Sequence, residues 1–245
     1  MYMKTAIKYK IWENKRPLMI YYGIIYTILV ASALAITSAD NGSISVSGIE
    51  FASMIFIFIS GLNYFGETFR MFLQNGLSRK TLFISFVFSI IPITAFMAIL
   101  DSINSLIMGY ITNYKSLYLQ FYHPRYVESS GSGLQFFEGI LWSLFAYAML
   151  AMLGVFITTL YYRMDKKQKL VVSIGFPLLL FVVLPMLDNS FTNGAIFRGI
   201  GDSFAFAWGY QHGFNPYYSM LTCTLFFIFF GGLAYLLIRK AVVQE

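Results

Sequence analysis

The sequence of 245 residues contains one cysteine, Cys223, and only 11% charged residues. One cysteine excludes a disulfide scaffold. Soluble domains carry about 25% charged residues. A soluble core of this size could not absorb 58% hydrophobic residues, with 26 Phe and 18 Tyr among them. The same numbers exclude intrinsic disorder. Chemical signatures are also missing. No GxxxxGK[ST] phosphate loop is present: the nearest fragment, Gly76-Leu77-Ser78-Arg79-Lys80-Thr81, lacks the glycine before the lysine. No HExxH or paired-cysteine pattern marks a metal site. His123 and His212 are far apart in the chain, and Cys223 reads as a small packing residue.

What is present is a series of long apolar runs. A membrane-crossing helix needs about 20 mostly apolar residues. Six candidates stand out, at residues 18–37, 49–65, 82–108, 139–161, 170–187 and 217–238. The runs are continuous rather than alternating, which speaks against an outer-membrane barrel. The expected fold is therefore an all-α polytopic membrane protein with six transmembrane helices, forming a single transmembrane domain over residues 1–245. The second run is short and is expected to continue past Phe65 toward Phe72. The third contains Pro92, a point for a kink or tilt. The first run has full span length and no small-residue cleavage site follows it, so a signal peptide is not expected.

Charge sets the orientation. With both termini placed in the cytoplasm, the inner segments are 1–17, 66–81, 162–169 and 239–245. They hold 14 of the 17 Lys and Arg, leaving only Lys115, Arg125 and Arg198 outside. This is the positive-inside pattern. The net charge of +6 is thus a topology signal toward an anionic inner leaflet and not a nucleic-acid signal.

Residues 1–17 read as an amphipathic interfacial helix, with Ile7, Ile11 and Trp12 apolar and Lys4, Lys8 and Lys15 basic. A plain basic stop before the first span fits the same residues. Tyr110, Tyr114, Tyr118, Tyr122 and Tyr126 recur every four residues, a drifting helical stripe expected at the membrane interface. Residues 188–216 are too polar to span yet contain apolar stretches, so short re-entrant helices in the outer leaflet are expected before the last span. Among polar residues inside spans, Asn63, Asp101 and Asn104 are the clearest. Asp101, Asn104 and Ser105 share a helix face, which suits a translocation path, a dimer interface or a wet outer helix end. Ser130-Gly131-Ser132-Gly133 resembles the core of intramembrane serine proteases but sits in a polar loop, where a linker is the simpler reading.

The segment 66–81, with its preceding Tyr64 and Phe65, is the most informative. Phe65, Phe69, Phe72 and Leu73 form an apolar face, with Glu67, Arg70 and Gln74 opposite. Gly76 ends the helix and Ser78 can cap the next. A rigid charged knob at the inner membrane surface results, although an ordinary basic loop has similar composition.

A short aromatic helix, then Asn75-Gly76-Leu77-Ser78-Arg79-Lys80 and a long third span, resembles the type-2 ABC exporter permeases. The basic amphipathic N-terminus, six spans, both ends inside and re-entrant structure before the last span extend the resemblance over essentially the whole chain. It implies that residues 66–81 form a coupling helix loop that docks on a separate ATPase subunit, with Glu67, Arg70, Gly76, Ser78, Arg79 and Lys80 at or near the contact. Arg163, Lys166 and Lys167 would lie in a lesser second contact. It implies no cofactor on this chain, ATP and Mg in the partner ATPase, a second permease copy, and a bacterial cytoplasmic membrane location. Compact permeases of this style resemble the phenol-soluble modulin exporters and the lantibiotic or bacitracin self-protection permeases, which implies amphipathic peptide cargo. A membrane scaffold without transport, and a hydrolase using Ser132, are the alternatives.

Overall fold

The computed structural model describes residues 2–38, 47–63, 67–112, 114–126 and 132–239. They form ten helices in the order α1 (Tyr2–Ser38), α2 (Ile49–Leu62), α3 (Glu67–Gln74), α4 (Arg79–Ile111), α5 (Leu117–Tyr122), α6 (Ser132–Arg163), α7 (Lys166–Leu178), α8 (Leu184–Leu187), α9 (Ala195–Ala207) and α10 (Pro216–Arg239). Two π-helical stretches, Leu179–Val183 and Asp188–Thr192, flank α8. Among the described residues there is no strand, only an isolated bridge between Ser47 and Lys115.

Among the described residues, five helical stretches are long and apolar enough to cross a bilayer: Met3–Leu34, Arg79–Ile111, Gly133–Arg163, Lys166–Thr192 and Pro216–Arg239. The chain is an all-α, multi-pass membrane protein by that measure. The second expected run differs. α2 has 14 residues, roughly 21 Å of helix against a hydrocarbon core of about 30 Å. It stops at Leu62 with Asn63 as its cap, instead of continuing toward Phe72. Phe65 lies outside the described residues.

The core is built by α1, α2, α4, α6 and α10. Met97, Tyr147, Met152 and Val155 are fully buried in one cluster that reaches from Ala6 and Phe72 to Ala234 and Ile238. These contacts place the N-terminal part of α1, the end of α2, α3, the start of α4 and the end of α10 together. The basic segments therefore gather at one end of the bundle, here called the basic end.

Two expectations are corrected here. The first concerns residues 1–17, expected as an interfacial helix separate from the span at 18–37. α1 instead runs unbroken through Pro17. At its start Ala6, Tyr9 and Lys10 face the bundle and Tyr9 meets Phe72 edge-on at 5.3 Å, while Ile11 and Trp12 face outward, Trp12 being 61% exposed. Asn14 accepts from Ser60 Oγ at 2.9 Å, which ties the region around Pro17 to α2. Lys10 is buried and pairs with Glu13 at 3.0 Å.

The second concerns the tyrosines, which do not make one interfacial stripe. α4 ends at Ile111, α5 is only six residues long, and Tyr126 falls in a 3-10 turn. Three of the five, Tyr114, Tyr118 and Tyr122, turn inward and are buried. Each finds a hydrogen-bond acceptor there, the condition for burying a phenol.

The stretch 166–187 has no buried residue. It touches α6 through the hydrogen bond between Tyr161 Oη and Ser173 Oγ at 2.9 Å. A helix apolar all round and unburied by its own chain has lipid or another chain as its solvent. Beyond it Asp188–Thr192, Ala195–Ala207 and Tyr210–His212 are helical, with turns between them. Asp188 accepts from the backbone N–H of Ile196 at 2.8 Å and Phe197 at 3.1 Å, closing the N-terminus of α9.

Candidate functional site

Two places combine unusual local chemistry with defined geometry. The first is the α3 turn at the basic end. α3 finishes with a Schellman arrangement: the Leu77 N–H donates to the Phe72 carbonyl at 3.1 Å and the Gly76 N–H to the Leu73 carbonyl at 3.0 Å. Gly76 sits at φ +79°, in the left-handed region. Leu77 packs into the same cluster as Phe72, the apolar contact that accompanies this motif. Ser78 then caps α4, accepting from the Thr81 N–H at 3.2 Å. Phe72 is buried and Leu73 half-buried, as the apolar face requires, while Gln74, Ser78 and Lys80 are exposed and Arg79 is half-exposed. Glu67 and Arg70 lie in the first half of α3; their side chains fall outside the described residues. Arg163, Lys166 and Lys167 are exposed at the α6–α7 junction, where Asp165 and Gln168 form a capping box at the start of α7.

The second place lies inside the bundle. Asp101 is 3% exposed and turned inward, between three helices of one chain. Its Oδ1 accepts from Tyr22 of α1 at 3.0 Å and its Oδ2 from Tyr147 of α6 at 2.6 Å. It is neither at a wet helix end nor facing outward. Asn104 is buried on the same helix, and its amide nitrogen has no hydrogen-bond partner among the described residues. Asn63 does not join them: it is exposed beyond the end of α2, toward the basic end.

The sequence reading missed Glu50, Tyr22, Tyr147 and Glu138. Glu50 accepts from Ser105 at 2.5 Å, Tyr114 at 2.7 Å and the Leu117 N–H at 3.3 Å. Glu138 takes Tyr118 at 3.1 Å, Tyr126, and Arg125 at 3.0 Å. Burial, together with hydrogen bonding to Glu138, pushes the Tyr126 hydroxyl up to about 12, so it remains a donor at neutral pH. An acid opening an apolar run, with no basic residue within four positions, was the available signal for Glu50.

The pairs on Asp101 predict graded losses. Tyr147→Phe removes one interhelical hydrogen bond and should cost about 0.5–1.5 kcal/mol. Asp101→Leu strands two buried hydroxyls and should cost about 2–5 kcal/mol. Thermal unfolding of the detergent-solubilised variants checks the order; equal losses would separate Asp101 from its tyrosines.

Among the described residues, no group of three or more His, Cys, Asp or Glu could hold a metal. Ser132 is the first residue of α6 rather than part of a loop, while Ser130 and Gly131 lie outside the described residues. No protein-family model matches the chain, and searches of curated proteins and of solved structures find no match.

Proposed function

We propose that the chain is the membrane-spanning permease subunit of an ATP-driven ABC exporter in the bacterial cytoplasmic membrane. In this reading six helices cross the bilayer, α2 being the short one, and both termini and the basic end are cytoplasmic. Residues 188–216 then re-enter the outer leaflet. The observation that carries the proposal is α3. It is a short amphipathic helix between two apolar helices, at the end where the basic residues gather, held by an apolar face and stopped by a defined turn. Such an element can pass a push from below into α4, which Ser78 joins to it directly.

The lack of a phosphate loop agrees with energy supplied by a separate ATPase subunit carrying ATP and Mg. Glu67, Arg70, Gly76, Ser78, Arg79 and Lys80 are assigned to its contact, with Arg163, Lys166 and Lys167 as the second contact. The unburied 166–187 helix is the surface assigned to a second permease copy. Amphipathic peptides are the proposed cargo, on the resemblance described above.

Gentle purification from native membranes should bring down an ABC-type ATPase in stoichiometric amount. Reconstituted in vesicles, that complex should hydrolyse ATP about tenfold faster with an amphipathic peptide from a tested panel. Absence of the ATPase, where a known ABC complex handled alongside stays intact, would overturn the proposal; an ATPase without peptide stimulation would overturn the cargo.

A further inference from the structure

A cavity of about 290 Å³ lies between α4, α5 and the start of α6, with Glu50 of α2 at its side. Among the described residues Glu50 is the one carboxylate that lines it, and Ser102, Ser105 and Ser143 supply neutral hydroxyls. Tyr110, Tyr118 and Phe136 add aromatic surface. Tyr110 is 90% exposed, so the cavity wall reaches the molecular surface.

Glu50 itself is 4% exposed. A carboxylate has about four acceptor positions, and three neutral donors occupy three of them: Ser105, Tyr114 and the Leu117 N–H. All three donors are neutral groups and bring no positive charge to the carboxylate. The ion pairs among the described residues are Lys10–Glu13 and Arg125–Glu138, and neither includes Glu50. Lys115 follows Tyr114 in sequence, but its side chain is exposed and forms no part of the cavity wall. A buried carboxylate with no basic side chain paired to it among the described residues is costly in a membrane protein. The space beside it is where a countercharge can enter.

We infer that this cavity binds an organic cation, a primary ammonium carried on a small apolar body. The ammonium takes the remaining acceptor position of Glu50 and the serine hydroxyls. The body lies against Tyr110, Tyr118 and Phe136, whose ring faces also attract the positive charge. A metal ion is the poorer fit, because a hard cation needs several oxygen ligands and this wall offers one carboxylate already three-quarters occupied. The inference is independent of transport and of any ATPase.

The test uses the full chain in phosphatidylcholine nanodiscs, with empty discs as the partition control. Phenethylammonium is the cationic probe, 3-phenylpropanol the neutral one and 3-phenylpropanoate the anionic one, each titrated by saturation-transfer NMR. Phenethylammonium should bind saturably and about tenfold more tightly than the other two. Glu50→Gln should abolish that preference while leaving the neutral probe unchanged. Ser102→Leu, which fills the cavity from a half-exposed position on α4, should weaken both the cationic and the neutral probe. If Glu50→Gln fails to fold, the charge series on the native chain and Ser102→Leu decide. No saturable binding, equal affinity for cation and alcohol, or cation binding unchanged in Ser102→Leu would each overturn the inference.

Discussion

A Gly154→Val chain should not accumulate as a monodisperse protein, and Gly154→Ala should lose about 1–3 kcal/mol of stability. The reason is the approach of α2 to α6. A Cβ on Gly154 would stand 2.4 Å from the Phe58 carbonyl oxygen and 2.9 Å from the Leu62 nitrogen, and a Cβ on Gly61 would stand 2.2 Å from the Ala151 carbonyl oxygen. All three obstacles are backbone atoms, so no side chain can rotate away and the helices themselves must separate. Their separation breaks the hydrogen bond from Thr158 Oγ1 to the Leu62 carbonyl at 2.5 Å. Small residues at such contacts let apolar helices approach closely in lipid, where burial gives no hydrophobic drive. α2 is short, so this seam carries much of what holds it. Gly232→Ala is the control, since its added Cβ meets nothing within 4 Å. Fluorescence-detected size exclusion after heating reads the series. A Gly154→Ala chain as heat-stable as the Gly232→Ala chain would remove the close approach.

Hydropathy and charge are local properties, which is why the apolar runs and the gathering of basic residues at one end were legible in the sequence. So was the α3 turn: Asn75-Gly76-Leu77 places glycine where the left-handed residue of a helix stop belongs, and Ser78 where a cap belongs. Long-range polar pairing was not legible. Tyr22 and Asp101 are 79 residues apart, and Tyr114 and Glu50 are 64 apart. Nothing near either tyrosine announces its partner. The four-residue spacing of the tyrosines was real, but α4 ends at Ile111 and the next helix starts at Leu117, so Tyr110 lies in α4, Tyr114 between the helices, Tyr118 and Tyr122 in α5 and Tyr126 in the 3-10 turn. Pro17 marked the expected boundary of an interfacial helix. A proline costs one backbone hydrogen bond and crowds the preceding turn, and contacts from Tyr9 to Phe72 and from Asn14 to Ser60 hold α1 on the bundle through that point.

On the permease reading proposed above, a Gly76→Pro chain should insert its spans normally and still recruit the ATPase, yet lose transport about tenfold or more while ATP hydrolysis continues. Two features of the turn forbid proline. Gly76 has φ +79°, whereas the proline ring holds φ near −65°. Its N–H also closes the turn onto the Leu73 carbonyl at 3.0 Å, and proline has no N–H to give. The loss starts in the turn itself, because a Cβ at this position would meet nothing within 4 Å. What changes is the path from α3 into α4: Leu77 leaves its seat beside Phe72 and Ser78 no longer stands where it caps the helix. Gly76→Ala separates the two causes. Alanine keeps the N–H and bears only the left-handed strain, about 1–2 kcal/mol, so its transport should fall partway with hydrolysis still linked to it. Transport and ATP hydrolysis measured on the same vesicles give the ratio that decides. An unchanged ratio in Gly76→Pro, with transport intact, would take the coupling role away from α3 and leave the permease reading without the element that carries it.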